Sequence, residues 1–204
     1  MGLRTGLDQA RVVPQRPPVG RATYQDVLDA PPGMVAELID GVLHLQPRPV
    51  VGHARVATAL GALLWNAFQA GRGGLGGWEI LDEPEVHLGP QVLVPDIAGW
   101  RLDRATVDLE AAFATTPPAW VCEVLSPSTA RKDRDLKLPR YGEHGVLHAW
   151  LVDPGARRVE VYARVDDRRS LVTTHAGAGP ARLPPFEAVA LPMGDVWPPA
   201  RGER

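Results

Sequence analysis

The sequence predicts a mixed α/β fold of the α+β kind, in which a central mixed β-sheet is flanked by helices. Three observations predict it. Short runs rich in β-branched and aromatic residues recur along the chain, one long segment has apolar residues spaced by three and four, and the two kinds of segment do not alternate strictly. Strict alternation would favour an all-parallel sheet, so the irregular order indicates one core built on a mixed sheet.

The first third of the chain predicts a hairpin followed by a long helix. Residues 1–21 contain arginines and prolines without periodicity, so we expect a flexible leader or a weak phosphate-binding arm. Thr23 and Asp26 have the spacing of a capping box before a short helix. Asp40-Gly41, between two apolar runs, is typical of a type I′ hairpin turn, and the long amphipathic helix covers 53–70.

The rest of the chain predicts the main sheet. Residues 120–125 are nearly all apolar and lie between proline-containing segments, which indicates a central strand covered on both faces. A helix follows at once, and Pro139 within it predicts either a kink or a fresh helix start. Residues 105–114 predict a helix or a loop. The other predicted strands are 78–81, 85–88, 92–100, 146–152, 158–165 and 171–174.

Length and composition limit the number of domains and the classes of function. The chain has 204 residues, 45% of them hydrophobic, so we expect one domain over 22–197 and a short tail over 198–204. A formal net charge of −2 gives no global basic field, so any polyanion site must be local. The single cysteine, Cys122, excludes an internal disulfide and a cysteine-based zinc site. No stretch reaches the roughly 18 apolar residues of a membrane span, so we expect a cytoplasmic protein without membrane contact.

Two acidic residues, Asp96 and Glu123, stand inside apolar, strand-like runs. A carboxylate in such surroundings is costly unless a metal, a cation or hydrogen-bond donors compensate it. If Asp96 lies on a strand next to that of Glu123, both acids could bind one cation. Mg²⁺ suits such a site, because it accepts one or two carboxylates together with water and phosphate oxygens. Lys137 is the candidate for orienting the attacking water or stabilising phosphoryl charge.

A set of motifs extends from about residue 22 to the last strands. Each is weak alone, and their combination is specific. They are Glu37-Leu38-Ile39-Asp40-Gly41, His53, Val94-Pro95-Asp96, Cys122-Glu123-Val124-Leu125-Ser126-Pro127-Ser128-Thr129, Asp133, Lys137, Tyr141, Gly145-Val146 and Trp150-Leu151-Val152-Asp153-Pro154. In this combination the chain resembles the Uma-type family of putative restriction endonucleases, within the PD-(D/E)XK nuclease superfamily.

The resemblance implies a restriction endonuclease-like fold and Mg²⁺-dependent cleavage of phosphodiester bonds in DNA, with Mn²⁺ as a substitute. Position by position, it makes Asp96 and Glu123 metal ligands, Glu37 a third acidic member of the site, and the backbone carbonyl of Val124 a further ligand. A homodimer is expected as well, because cleavage of a duplex needs two cuts and two-fold assemblies are common.

One position departs from the superfamily pattern. That pattern has a lysine two residues after the second acid, where this chain has Leu125, and Lys137 resembles a migrated replacement. Asp133 lies four residues before Lys137, so a solvated ion pair on a surface helix explains the two residues as well. His53 is typical of a helix cap or a surface residue, with a contact to an acid or to substrate as the alternative. The cations of the same helix predict either a phosphate-facing ridge or a merely solvated face: Arg131, Lys132, Arg134, Lys137 and Arg140.

Three functions are open at this point. The first is a Mg²⁺-dependent DNA endonuclease with catalytic residues Asp96, Glu123, Lys137 and Glu37. The second is a catalytically inactive nucleic-acid-binding or assembly module that retains the nuclease fold, which Leu125 and the net negative charge favour. The third is a metal-dependent hydrolase of another phosphodiester. The simplest structural alternative for both strand acids is satisfaction by backbone donors or arginine.

Overall fold

The computed structural model describes residues 21–166 and 168–199. The predicted leader, apart from Arg21, and residues 200–204 of the predicted tail lie outside these ranges. The strands are β1 (Met34–Ile39), β2 (Val42–Pro47), β3 (Trp78–Asp82), β4 (Val86–Leu88), β5 (Gln91–Leu93), β6 (Ile97–Arg101), β7 (Trp120–Val124), β8 (His148–Asp153), β9 (Arg158–Val165), β10 (Arg168–Ala176), β11 (Pro180–Ala181) and β12 (Leu191–Pro192). The helices are α1 (Tyr24–Leu28), α2 (Val51–Leu64), α3 (Ala130–Lys132), α4 (Leu138–Glu143) and α5 (Met193–Val196).

The main sheet has the strand order β10-β9-β8-β7-β6-β3. β7 runs parallel to β8, and the other neighbours in this sheet are antiparallel. The sheet is therefore mixed, which confirms the predicted fold class. β7 lies inside it, and all five of its residues are buried because each face of the strand packs against a hydrophobic cluster. None of the helices in the described ranges combines the length and apolarity needed to cross a bilayer.

The N-terminal hairpin belongs to a second, smaller sheet with the order β2-β1-β5-β4. Its turn has φ values of 54° at Asp40 and 76° at Gly41, the two positive angles that a type I′ turn requires. The predicted hairpin is confirmed. The capping box at Thr23 is confirmed too: the Thr23 side chain accepts the Asp26 amide, and the Asp26 carboxylate accepts the Thr23 amide at 2.7 Å.

The prediction of one strand over 92–100 is wrong. The chain leaves the small sheet after Leu93 and enters the large sheet at Ile97, so that β5 and β6 belong to different sheets. Pro95 supplies the physical reason, because it has no amide hydrogen for a ladder and restricts the residue before it. Asp96 therefore lies at a crossing between two sheets rather than within a strand.

Two helical segments contain a π-helical turn. The first is α2, which continues as a π-helical turn over 65–69; the second covers 130–143, where a π-helical turn over 133–137 joins α3 to α4. Pro139 lies in the first turn of α4, where its missing amide hydrogen costs least. The widened turn just before it lets the helix continue through the proline. Residues 105–114 form an irregular connection whose last residue, Ala114, bridges to Val86.

The two faces of the main sheet bury different clusters. One face packs the aromatic rings of Trp120 and Trp150 with Phe186 and the buried side of α2. The opposite face packs Val121 and Leu125 against α4 and the small sheet. The alternation predicted along β7 is therefore correct, and Glu123 lies on the second face.

Candidate active site

Asp96 is held by two donors at the crossing between the sheets. The amide of Val124, the last residue of β7, donates to Asp96 Oδ2 at 2.6 Å. His53 Nε2, on the first turn of α2, lies 2.8 Å from Asp96 Oδ1. Burial lowers the pKa of His53, but the hydrogen bond and charge of Asp96 outweigh it, so that this pKa is raised. These two contacts fix the orientation of the carboxylate.

Glu123 is buried on β7, where it meets α4 and the helical turn before it. Tyr141 Oη donates to Glu123 Oε1 at 2.6 Å, and Lys137 Nζ lies 2.8 Å from the same oxygen. Burial raises the pKa of Glu123 well above its usual range; Lys137 opposes this rise, and Asp133 and Asp96 add to it. Burial therefore disfavours the ionised form of Glu123, and the charge of Lys137 offsets this only in part.

Glu37, fully buried on β1, is the shared counter-ion of two lysines. Lys137 Nζ lies 2.7 Å from its Oε1, and Lys132 Nζ contacts its Oε2. Burial opposes ionisation of Glu37, but the charges of Lys137 and then Lys132 outweigh it, so that its pKa falls to about 2. The same carboxylate accepts the amide of Val94 at 2.9 Å, and Lys137 donates to the Val94 carbonyl at 3.0 Å. Glu37 thus anchors both the lysines and the chain just before Asp96.

A cavity of about 400 Å³ lies beside these groups. Asp96, Glu123, His53 and Asp133 all border it, whereas Glu37, Lys132 and Lys137 stand behind its walls. Asp133 is only 3% exposed, and burial raises its pKa against the opposing charge of Lys137. The structure thus brings the two predicted strand acids to one cavity and adds a third acid to it.

The surface ion pair considered for Asp133 and Lys137 is wrong, because Lys137 is 1% exposed and both side chains are buried. The spacing of Asp133, Lys137 and Tyr141 by four residues was the available signal, since it places them on one side of a helical segment. The contact of His53 with Asp96 corresponds to the alternative that sequence reasoning gave for this residue. Gln46, whose Oε1 accepts from Lys132 Nζ at 2.5 Å, was not identified from the sequence, and Lys132 was considered only as part of the basic ridge.

The basic ridge considered along this helix does not form, because each of its cations has a carboxylate partner. Arg134 binds Glu160, Arg140 binds Asp40 and Glu143, and Arg131 pairs with Asp135 on the exposed side. Lys132 and Lys137 point to Glu37. A phosphate group would therefore have to compete with existing ion pairs at every one of these positions.

Across residues 21–166 and 168–199, no group of three or more His, Cys, Asp and Glu side chains is arranged as a ready-made metal cluster. Mg²⁺ needs only one or two protein carboxylates, because it keeps several waters and also binds substrate phosphate. Val124 contributes its amide hydrogen to Asp96. Glu37 has both oxygens in contact with lysines.

Comparison with known proteins gives a structural match to a nuclease-type fold and a sequence match to one family. A putative nuclease belonging to DUF820 from Anabaena variabilis ATCC 29413 has a similar structure, with a TM-score of 0.69 at 20% sequence identity. The similarity covers 86% of this chain and 97% of that one, and at this identity it establishes a shared fold. The search of curated proteins gives no match. Residues 22–194 match the Uma2 family, described as putative restriction endonucleases, and the chain belongs to that family.

Proposed function

We propose that this protein is a Mg²⁺-dependent endonuclease that hydrolyses phosphodiester bonds of DNA, with Asp96 and Glu123 as the metal ligands. One observation carries the proposal. Two carboxylates that are distant in sequence border one cavity, within a buried charge cluster that has more acids than cations. Cytoplasmic location and homodimer formation stay predictions from the sequence.

The charge balance of this cluster supports a divalent cation. Besides His53 and Tyr141, the cluster contains four acids and two lysines: Glu37, Asp96, Glu123, Asp133, Lys132 and Lys137. With all of them ionised, two negative charges lack a partner, and protonation of His53 would compensate only one. Uncompensated charge in a buried site is costly, and the raised pKa values of Glu123 and Asp133 express that cost. A divalent cation at the cavity would remove it.

When bound, Mg²⁺ would polarise the phosphodiester and lower the pKa of a coordinated water. The residues of the chain prepare the ligands for it. His53 and the Val124 amide fix Asp96, while Tyr141 and Lys137 fix Glu123. Such supporting contacts orient metal ligands and commonly change affinity or activity by about 10–100-fold. Lys137 does not border the cavity and acts there through Glu123, 2.8 Å from its Nζ; its role in orienting water or stabilising phosphoryl charge stays a prediction from the sequence.

Glu37 has a different part in this proposal. It keeps Lys132 and Lys137 charged and in position, because its carboxylate contacts both ammonium groups. Its role as a third ligand, and that of the Val124 carbonyl, stay predictions from the family resemblance. A metal-soaked crystal structure would test both.

Cleavage assays with matched variants test the proposed function. The purified protein should cut DNA with Mg²⁺ or Mn²⁺. Asp96→Asn and Glu123→Gln should each lose roughly 100-fold or more of that activity, because each removes a charged ligand of the ion that stabilises the developing charge. Glu79→Gln is the control: it removes one charge from β3, and Glu79 binds Gln69 away from the cavity. Equal cutting by all three variants would indicate a contaminating nuclease and refute the assignment.

Calorimetric titration separates the enzyme from an inactive module that retains the fold. The wild-type protein should bind Mg²⁺ or Mn²⁺, and Glu123→Gln should show greatly weakened binding. A protein that binds DNA but gives no heat with either ion would be the binding or assembly module. Cleavage of other phosphodiesters in preference to DNA would favour the third function.

A further inference from the structure

A second cavity, of about 550 Å³, adjoins the first. The two cavities have four lining residues in common: Val50, His53, Ser126 and Pro127. His53, which contacts Asp96, is therefore on the boundary between them. The second cavity is therefore the neighbouring space for a nucleotide that is linked to a phosphate in the first.

The walls of the second cavity are mainly apolar. Leu125, Pro127, Pro154 and Pro198 contribute apolar surface from three different segments of the chain. Leu125 is the residue at the position where the nuclease superfamily has its lysine. A flat, uncharged partner is the chemistry that such walls accept, and nucleobases are recognised by stacking between aromatic or apolar side chains.

Polar groups are few in the second cavity and stand among these apolar walls. Asp153 Oδ1 accepts the amide of Ala156 at 2.9 Å, and carboxylates accept hydrogen bonds from base amino groups. Arg134 is held against Glu160 by two hydrogen bonds of 2.5 and 3.1 Å. Ser126 Oγ lies 3.0 Å from the hydroxyl oxygens of Ser128 and Thr129. A nucleotide, with an apolar base face, polar edges and a phosphate, matches this mixture.

The size of the second cavity indicates whether a nucleotide would enter it paired or unpaired. A volume of about 550 Å³ falls in the range of sites for single small ligands, roughly 300–1,000 Å³. A duplex, whose major groove alone is about 12 Å wide, is too large to enter such a space. One unpaired nucleotide can enter it.

The geometry points to a subsite for one unpaired nucleotide next to the scissile phosphodiester. This inference rests on the proposed function and names its substrate class: DNA with an unpaired nucleotide at the cut, as in single strands, bulges or frayed ends. A perfect duplex is the poorer substrate, because a base must first be unstacked and unpaired to reach the second cavity.

Two glycines allow the second cavity to be filled without disturbing the fold. Gly52 and Gly155 line it from α2 and from the turn after β8. A Cβ at Gly52 would meet nothing within 4 Å, and one at Gly155 would meet only Asp153 Oδ1 at 3.4 Å. Gly179, where a Cβ would also meet nothing, does not line either cavity and is the matched control.

The experiment compares Gly52→Leu, Gly155→Phe and the control Gly179→Phe with the wild-type protein. Substrates are a single-stranded oligonucleotide, the same sequence as a duplex with a one-nucleotide bulge, and the perfect duplex, each with Mg²⁺ or Mn²⁺. We expect the wild type and the control to cut the first two about tenfold or more faster than the third, as loss of one base contact would predict. Both filled variants should lose this preference while binding the metal ion normally.

Equal cutting of all three substrates by the wild type, or an unchanged preference in both filled variants, would overturn the subsite. Absence of cutting by the wild type would instead count against the proposed function. In that case the subsite is tested without cleavage, by measuring how tightly each protein binds the single-stranded oligonucleotide in EDTA from its fluorescence anisotropy. Binding that both filled variants weaken about tenfold, and the control does not, supports it; equal binding by all four proteins refutes it.

Discussion

The two faces of β7 bury neighbouring residues of one strand in opposite chemical surroundings. On one face, Trp120 packs edge-on against Trp150, with ring centroids 5.1 Å apart, and both rings contact Phe186. On the other face, Glu123 meets Lys137 and Tyr141. Burial is almost complete on both faces.

The comparison shows that complete burial serves two purposes in this sheet. Apolar burial on the Trp120 face stabilises the fold through the hydrophobic effect and close packing. Burial on the Glu123 face sets the ionisation of acids and lysines, because desolvation and nearby charges act strongly away from water. Stability should therefore depend mostly on the first face and metal-dependent activity on the second.

The largest expected effect is on the Trp120 face. Trp150→Ala should lower the free energy of unfolding by about 3–5 kcal/mol, since it removes a large core ring and the 2.6 Å hydrogen bond to the Pro184 carbonyl. Urea unfolding followed by circular dichroism measures this. The half-exposed Trp65→Ala is the control and should cost much less. Equal losses of unfolding free energy in the two variants would contradict the claim that packing of the Trp120 face stabilises the fold.

The next effect depends on pH and concerns the Glu123 face. Glu37 has a pKa of about 2 in the folded chain against an ordinary value of 4.5, so it stabilises the fold above pH 4.5 by roughly 2–4 kcal/mol. This contribution is lost as the pH falls from 4.5 through 2, because the unfolded chain binds the proton first. Glu37→Gln should therefore be less stable than the wild type at pH 7, with the difference shrinking below pH 4.5.

Denaturant titrations at several pH values measure this difference, with Glu79→Gln as the reference variant. A stability difference that stays constant from pH 7 to pH 3 would show that Glu37 does not act through its charge. If the stability difference from the wild type shrinks at low pH for Glu37→Gln and not for Glu79→Gln, the loss of wild-type stability in acid is due to the contacts of Glu37 with the lysines.

The smallest effect is expected on the exposed side of the helical segment that carries Lys137. Asp135 pairs there with Arg131 at 3.3 Å, and both side chains are largely solvent-exposed. Asp135→Asn should change the free energy of unfolding by no more than about 0.5 kcal/mol and leave cleavage unchanged. Thermal unfolding and the cleavage assay measure the two quantities. A loss of activity would extend the active site to the outer side of the helix.

Local patterns were enough to predict much of the fold. The Asp40-Gly41 turn, the apolar spacing of α2 and the alternation along β7 all depend on residues close together in sequence, and the structure confirms each. The strand predicted over 92–100 was wrong because periodicity registers apolar residues and does not show which sheet they join. The interruption by Pro95 was visible, but its consequence, a crossing between two sheets, depends on partners elsewhere in the chain.

The sequence by itself determined the mixed sheet, the hairpin and the long helix. It also marked Asp96 and Glu123 as two acids in unusually apolar surroundings. Only the tertiary structure decided which charges meet: Glu37 with Lys132 and Lys137, Asp96 with His53, and Asp133 at the cavity. The physical reason is that an ion pair acts over a few ångströms, whatever the separation of its members along the chain. Glu37 and Lys132 are 95 residues apart in sequence and in contact in the fold.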